Sequence, residues 1–131
     1  MEEKMSKKGE VYKCIPCHNV VTVVDGDIGT LFCCGQEMQK LEEKTAEQEG
    51  KEKHVPVIEQ EGDKVTVKVG SVEHPMEKEH YIEMIQLYDG DRLLAEKHLY
   101  PGEKPEAIFF AGESSDLTAK ALCNVHGLWT S

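Results

Sequence analysis

The chain has 131 residues, 39% hydrophobic against 31% charged, which suits one ordinary domain or two small ones. A core divided in two would leave each part short of buried apolar surface, so a metal or disulfide staple is expected. The formal net charge of −10 argues against a nucleic-acid or anionic-membrane partner, and any anionic substrate would need a local positive site to overcome it.

The N-terminal segment Met1-Glu2-Glu3-Lys4-Met5-Ser6-Lys7-Lys8 has no apolar h-region, so no secretory leader is expected. The longest apolar-rich run is Val20-Val21-Thr22-Val23-Val24, far short of the roughly 18 residues of a bilayer span. The expected location is therefore the cytoplasm. In that reducing compartment, five cysteines point to metal ligation, and their odd number rules out complete internal pairing.

From Gly9 to about Leu41 the chain reads as a first unit. Val11-Tyr12-Lys13 and Val20 to Val24 have the β-branched character of short strands, and Asp25-Gly26-Asp27 supplies a turn before Thr30-Leu31-Phe32. Burial alone does not hold some thirty residues together, and Cys14, Cys17, Cys33 and Cys34 are the available staple. Cys14-Ile15-Pro16-Cys17 sets two thiols on one tight turn; Cys33-Cys34-Gly35 follows fifteen intervening residues later. Adjacent residues of an extended strand face opposite ways, so Cys33 and Cys34 share an ion only if the chain bends sharply there. Four thiolates suit zinc and iron alike, so spacing leaves the metal open. His18 is read as an exposed residue beside an already closed site.

Residues 42–51 are charged, lack aromatics and β-branched aliphatics, and are expected to form a solvated linker. Beyond them the pattern is all-β. Lys64 to Val69 alternates, with Val65, Val67 and Val69 on one face. Tyr81–Tyr88 and Arg92–Tyr100 flank Asp89-Gly90-Asp91 as a hairpin. Ala107–Phe110 follows, then Leu117–Cys123 with Leu117, Ala119, Ala121 and Cys123 on a common side. Short strands at this spacing predict a β-sandwich or barrel.

This second region carries His54, His74, His80, Cys123 and His126. His54 and His74 stand beside Val55-Pro56 and Pro75, and Cys123 and His126 are three apart, close enough to converge where the chain turns after a strand. As a group they read as a metal site; His98, within the hairpin, keeps a structural reading. Zinc rarely takes five protein donors, whereas an octahedral ion with these five retains one open position, so redox-active iron is the better candidate. Four neutral imidazoles and one thiolate around a divalent ion leave one net positive charge, which suits a small anionic substrate.

Taken together, Cys14-x2-Cys17-x15-Cys33-Cys34-Gly35, Glu52-Lys53-His54-Val55-Pro56, His74-Pro75-Met76, His80 and Cys123-x2-His126-Gly127 closely resemble desulfoferrodoxins, the two-iron superoxide reductases, from about Val11 to Trp129. The resemblance implies a rubredoxin-like (desulforedoxin-like) domain, residues 1–41, with iron on Cys14, Cys17, Cys33 and Cys34. A linker at 42–51 then leads to an immunoglobulin-like β-sandwich, residues 52–131, holding the catalytic iron. There it implies His54, His74, His80 and His126 as equatorial ligands and Cys123 as the axial thiolate. It further implies one-electron reduction of superoxide to hydrogen peroxide, a rubredoxin-like electron donor and a homodimer. Lys53 would steer the anion, and Glu52 would supply a carboxylate to the oxidised iron. No calcium site can be read from these residues. The competing reading is a non-enzymatic iron electron carrier, or an interaction protein stapled by metal. A non-haem oxygenase is disfavoured, because such sites use two histidines and a carboxylate.

Overall fold

The computed structural model describes residues 7–26, 29–49, 53–112 and 114–131. Glu52 therefore lies outside the described residues. Among the described residues the fold is all-β apart from one 3-10 turn, and no helix is long and apolar enough to cross a membrane. The chain forms two compact units, Met1–Glu42 and Glu43–Ser131.

In the first unit, β1 (Val11–Lys13) pairs antiparallel with β2 (Val20–Thr22) and with β5 (Gln39–Lys40). A separate hairpin joins β3 (Phe32–Cys33) to β4 (Gln36–Glu37). Val11, Tyr12 and Cys14 are the unit's buried hydrophobic residues among those described. That is little apolar surface for an independent fold.

The second unit is a sandwich. One sheet runs β10-β9-β12-β13-β6 and the other β11-β8-β7, where β6 is Glu43–Lys44, β7 Pro56–Glu61, β8 Lys64–Val69, β9 Ile82–Asp89, β10 Arg92–His98, β11 Glu106–Phe110, β12 Leu117–Cys123 and β13 Gly127–Thr130. All pairings are antiparallel except β13 with β6. Between the sheets one core gathers Val65, Val67 and Val69 from β8, Ala107 and Phe109 from β11, Ile85 and Leu87 from β9, and Ala119 and Ala121 from β12. The alternation expected for β8 and β12 is present, and Cys123 ends the inward row of β12.

β9 breaks simple alternation. Ile82 and Ile85 both enter the core although three residues apart, because the register with β12 slips between Leu122 and Cys123, leaving Glu83 as the extra residue. Such a bulge re-aims the end of a strand. Here that end leads directly out of His80.

The segment read as a linker is only partly one. Glu43–Lys44 is strand β6, matched to Leu128 and Trp129, and Ala46–Gln48 forms the 3-10 turn. Gln48 Oε1 accepts from both the backbone N–H and the hydroxyl of Thr45, closing that turn. Neither element follows a hydrophobic period, because β6 borrows its stability from β13 and sits charged at the sheet edge.

Candidate metal centres

The first centre is built from two turns. Cys14 ends the extended run after β1, and its carbonyl accepts the His18 N–H at 2.8 Å, folding the chain back so that Cys17 returns toward Cys14. His18 is exposed and adopts φ +69°. Across from it, Cys33 pairs with Gln36, and the two linking residues Cys34 and Gly35 have φ +54° and +77°. Positive φ at both positions is the geometry of a type I′ hairpin turn, and glycine at the second meets it without strain. This is the sharp bend that adjacent cysteines require.

All four sulfurs lie within 4.8 Å of one another, with Cys17 and Cys33 at 3.5 Å. Cys14 is buried, whereas Cys17 and Cys34 are exposed. The thiols differ in acidity. The Asn19 backbone N–H, then the neighbouring Cys14 and Cys33, lower Cys17 to about 7. Its neighbours Cys17, Cys14 and Cys33 push Cys34 up to about 12, since crowded thiols resist further ionisation.

The second centre occupies one end of the sandwich. His54 precedes β7 and His74 follows β8, whose paired ends are Pro56 and Val69. His80 precedes β9, Cys123 ends β12, and His126 lies in the turn to β13. Donors from both sheets thus meet at one edge of the core.

The four imidazoles close a cycle. Ring centroids are 4.5 Å apart for His54–His74, 4.9 Å for His74–His80, 5.0 Å for His80–His126 and 4.9 Å for His126–His54. Each pair meets edge to face, with interplanar angles from 62° to 85°. Donor atoms of His54, His74, His80 and Cys123 all fall within 4.8 Å of one another. His126 Nδ1 stands 3.9 Å from Cys123 Sγ, and the His126 N–H donates to that sulfur at 3.4 Å. His54, His74 and Cys123 are buried, His80 is half-buried and His126 is exposed, so the centre opens to water on one side.

This donor set fits a metal ion. Nε2 of His54, His74 and His80 is buried without a hydrogen bond, a costly state for an imidazole nitrogen that a ligated metal relieves. The His74 ring shows the fitting tautomer. Its Nδ1 lies 2.7 Å from the Pro75 carbonyl, which can only accept, so the proton sits there and Nε2 keeps its lone pair.

An outer layer of residues holds these donors, and sequence reasoning missed it. The Asn124 side chain accepts from Tyr81 N–H at 2.9 Å and donates to the Glu79 carbonyl at 3.0 Å. It thereby ties both neighbours of His80 to the turn carrying Cys123 and His126. Glu49 Oε2 accepts the N–H groups of His54 and Val55, each at 2.8 Å. Trp129 stacks on His54 at 4.7 Å and 12°. Gly70, at φ +86°, is required where it stands: a Cβ would collide with the Lys53 carbonyl oxygen. Only Asn124 had a local cue, sitting inside the Cys123–His126 motif; Glu49 has none, since nothing nearby in sequence marks a carboxylate as a backbone clasp.

The structure gathers the sulfurs of Cys14, Cys17, Cys33 and Cys34 in one set and the donors of His54, His74, His80 and Cys123 in another, with the His126 ring beside His54, His80 and Cys123. Lys53 is half-buried beside His54, and its backbone oxygen abuts Gly70.

Comparison with known proteins follows the same division. A family model described as Desulfoferrodoxin matches residues 46–131, and one described as Desulfoferrodoxin, N-terminal domain, matches residues 6–41. The chain is 54% identical over 127 residues to a desulfoferrodoxin homolog of Archaeoglobus fulgidus, covering 97% of this chain and 99% of that one. A desulfoferrodoxin of Syntrophotalea carbinolica is 49% identical, covering 97% and 98%. Among solved structures, the superoxide reductase of Treponema pallidum superposes with a TM-score of 0.74 at 28% identity, covering 96% of this chain and 99% of that one.

Proposed function

Because the chain belongs to the desulfoferrodoxin family, we infer that it is a superoxide reductase, passing one electron to superoxide with two protons to give hydrogen peroxide. The four-cysteine set and the set of His54, His74, His80 and Cys123 fit the family's two iron centres. The reading is carried by the closed cycle of four imidazoles with a thiol among them. His126 is assigned to the second centre as its fourth imidazole, on its contacts with His54, His80 and Cys123. When bound there, ferrous iron supplies the electron and, with five protein donors, one position for a small anion.

The residues have distinct tasks. Buried Cys123 donates electron density as a thiolate, and the His126 N–H keeps its sulfur oriented. The four imidazoles would each give the ion a ring-nitrogen lone pair and share its charge. Exposed His126 and half-buried His80 leave water, the proton source, access to the centre. Lys53 is assigned the steering of superoxide, because a lysine adjoining His54 in the chain can bring a positive charge within the roughly 8–10 Å over which the field of a −10 chain is screened. Glu52 is assigned as the carboxylate serving the oxidised centre. A rubredoxin-type donor would restore the ferrous state, and the family resemblance favours a homodimer.

The test is pulse radiolysis of the reduced, iron-loaded protein. Superoxide should disappear at a rate first order in protein, yielding peroxide without dioxygen. Dioxygen formed alongside peroxide would mark a dismutase, and no acceleration would leave an electron carrier. In the same assay Lys53→Ile should slow the reaction about tenfold and flatten its salt dependence; an unchanged rate and slope would remove Lys53 from its role.

A further inference from the structure

Lys44 supplies none of the donors of the second centre, yet it touches that centre's support twice. Its Nζ donates to the His126 carbonyl at 3.0 Å, and the same ammonium lies 5.5 Å from the centroid of the Trp129 ring, within cation–π range. Trp129 stacks on His54 and also gives its indole N–H to the His126 carbonyl, at 3.1 Å. A carbonyl oxygen has two lone pairs, and here both meet a donor. The register of β6 on β13 sets Lys44 directly beside Trp129. Glu43, the adjacent acid, is engaged elsewhere, 2.6 Å from Lys120, so it does not draw the Lys44 ammonium away.

We propose that Lys44 is a positioning residue of the histidine–cysteine centre, clamping the Cys123–His126 turn through the His126 carbonyl and holding a positive charge over the indole that backs His54. The proposal rests on the reading of that centre as a redox-active iron site. A fixed cation opposes the additional positive charge of the ferric state, so Lys44 favours the ferrous form that the reaction consumes. It does so from a segment whose composition reads as linker.

The experiment is an equilibrium redox titration of the iron-loaded full chain with Lys44→Met, Lys44→Gln and Lys44→Arg, alongside iron analysis and the emission of Trp129, the single tryptophan. Methionine removes both donor and charge, glutamine keeps a donor without charge, and arginine keeps both. At the wild-type midpoint, Met and Gln should each shift the ferric-to-ferrous ratio about tenfold toward ferric, a potential about 59 mV lower for a one-electron couple. Arg should titrate like wild type. In iron-free protein, Lys44→Met should alter Trp129 emission while Lys44→Arg preserves it. Met and Gln variants that retain iron and titrate as wild type would overturn the proposal, even with altered emission, by reducing Lys44 to a structural clip. A wild-type protein that binds no iron at this centre would overturn the underlying reading, and the proposal with it.

Discussion

The two units hold their donors by opposite means. In the first, the donors are the architecture: two turns, one at Cys14–Cys17 and one at Cys34-Gly35, exist in order to aim sulfur, and little apolar surface lies behind them. In the second, a finished sandwich with its own core carries the donors at one end, where strands start and stop. A small unit leans on its ion, whereas a larger one lends its rigidity to the ion. The same element can therefore be a structural requirement in one half of a chain and a reagent in the other.

Removing the metals should expose this contrast most plainly. In iron-free protein, amides of Val11–Lys13 should exchange with solvent about a thousandfold faster than in the loaded protein, while Val65, Val67, Ile85 and Leu87 keep their protection. Hydrogen exchange read by mass spectrometry decides it; equal loss in both units would mean that the sandwich also depends on its ion.

Gly70→Ala attacks the second unit where backbone meets site. The new methyl group would press on the Lys53 carbonyl from a left-handed backbone position, so the strand end or His54 must move. Denaturant unfolding should show a loss of about 3 kcal/mol, with iron at the second centre depleted and the first centre's iron unaffected. Asn124→Ala should do less, about 1–2 kcal/mol for two lost hydrogen bonds, and should loosen His80 specifically. That loosening would register as an altered ferric absorption spectrum; a spectrum identical to wild type would show that the loop holds itself.

The mildest test concerns the thiols of iron-free protein. With Cys17 lowered to about 7 and Cys34 raised to about 12, a carboxamidomethylating reagent at pH 8 should label Cys17 well before Cys34, both being exposed. Lowering the pH below about 7 should slow the labelling of Cys17, because its thiol is then mostly protonated, while Cys17 still reacts ahead of Cys34. Peptide mapping reads the order directly.

How much was readable beforehand follows from where the information lies. The inward rows of β8 and β12 announce themselves because one face of each is buried and the other is not. β9 hides its period: Ile82 through Tyr88 is buried on both faces except at Glu83, and the bulge there changes phase midway. The donors were readable because sulfur and imidazole are rare and chemically committed. Their supports were not. Lys44 and Glu49 are ordinary charged residues in a charged stretch, and Lys44 meets its partner 82 positions away, so no local pattern betrays either. Glu52, singled out with Lys53 in the sequence, lies outside the described residues.

Donors of the second centre hang from both layers of the sandwich, His54 and His74 from the end of one sheet, His80, Cys123 and His126 from the end of the other. An ion seated among them is a rivet through two plates. For it to escape, the plates must part at that rim, and the apolar filling behind them resists. Slow metal exchange, decoupled from how tightly any single ring holds on, is what such a joint gives a protein that works with a labile ferrous ion.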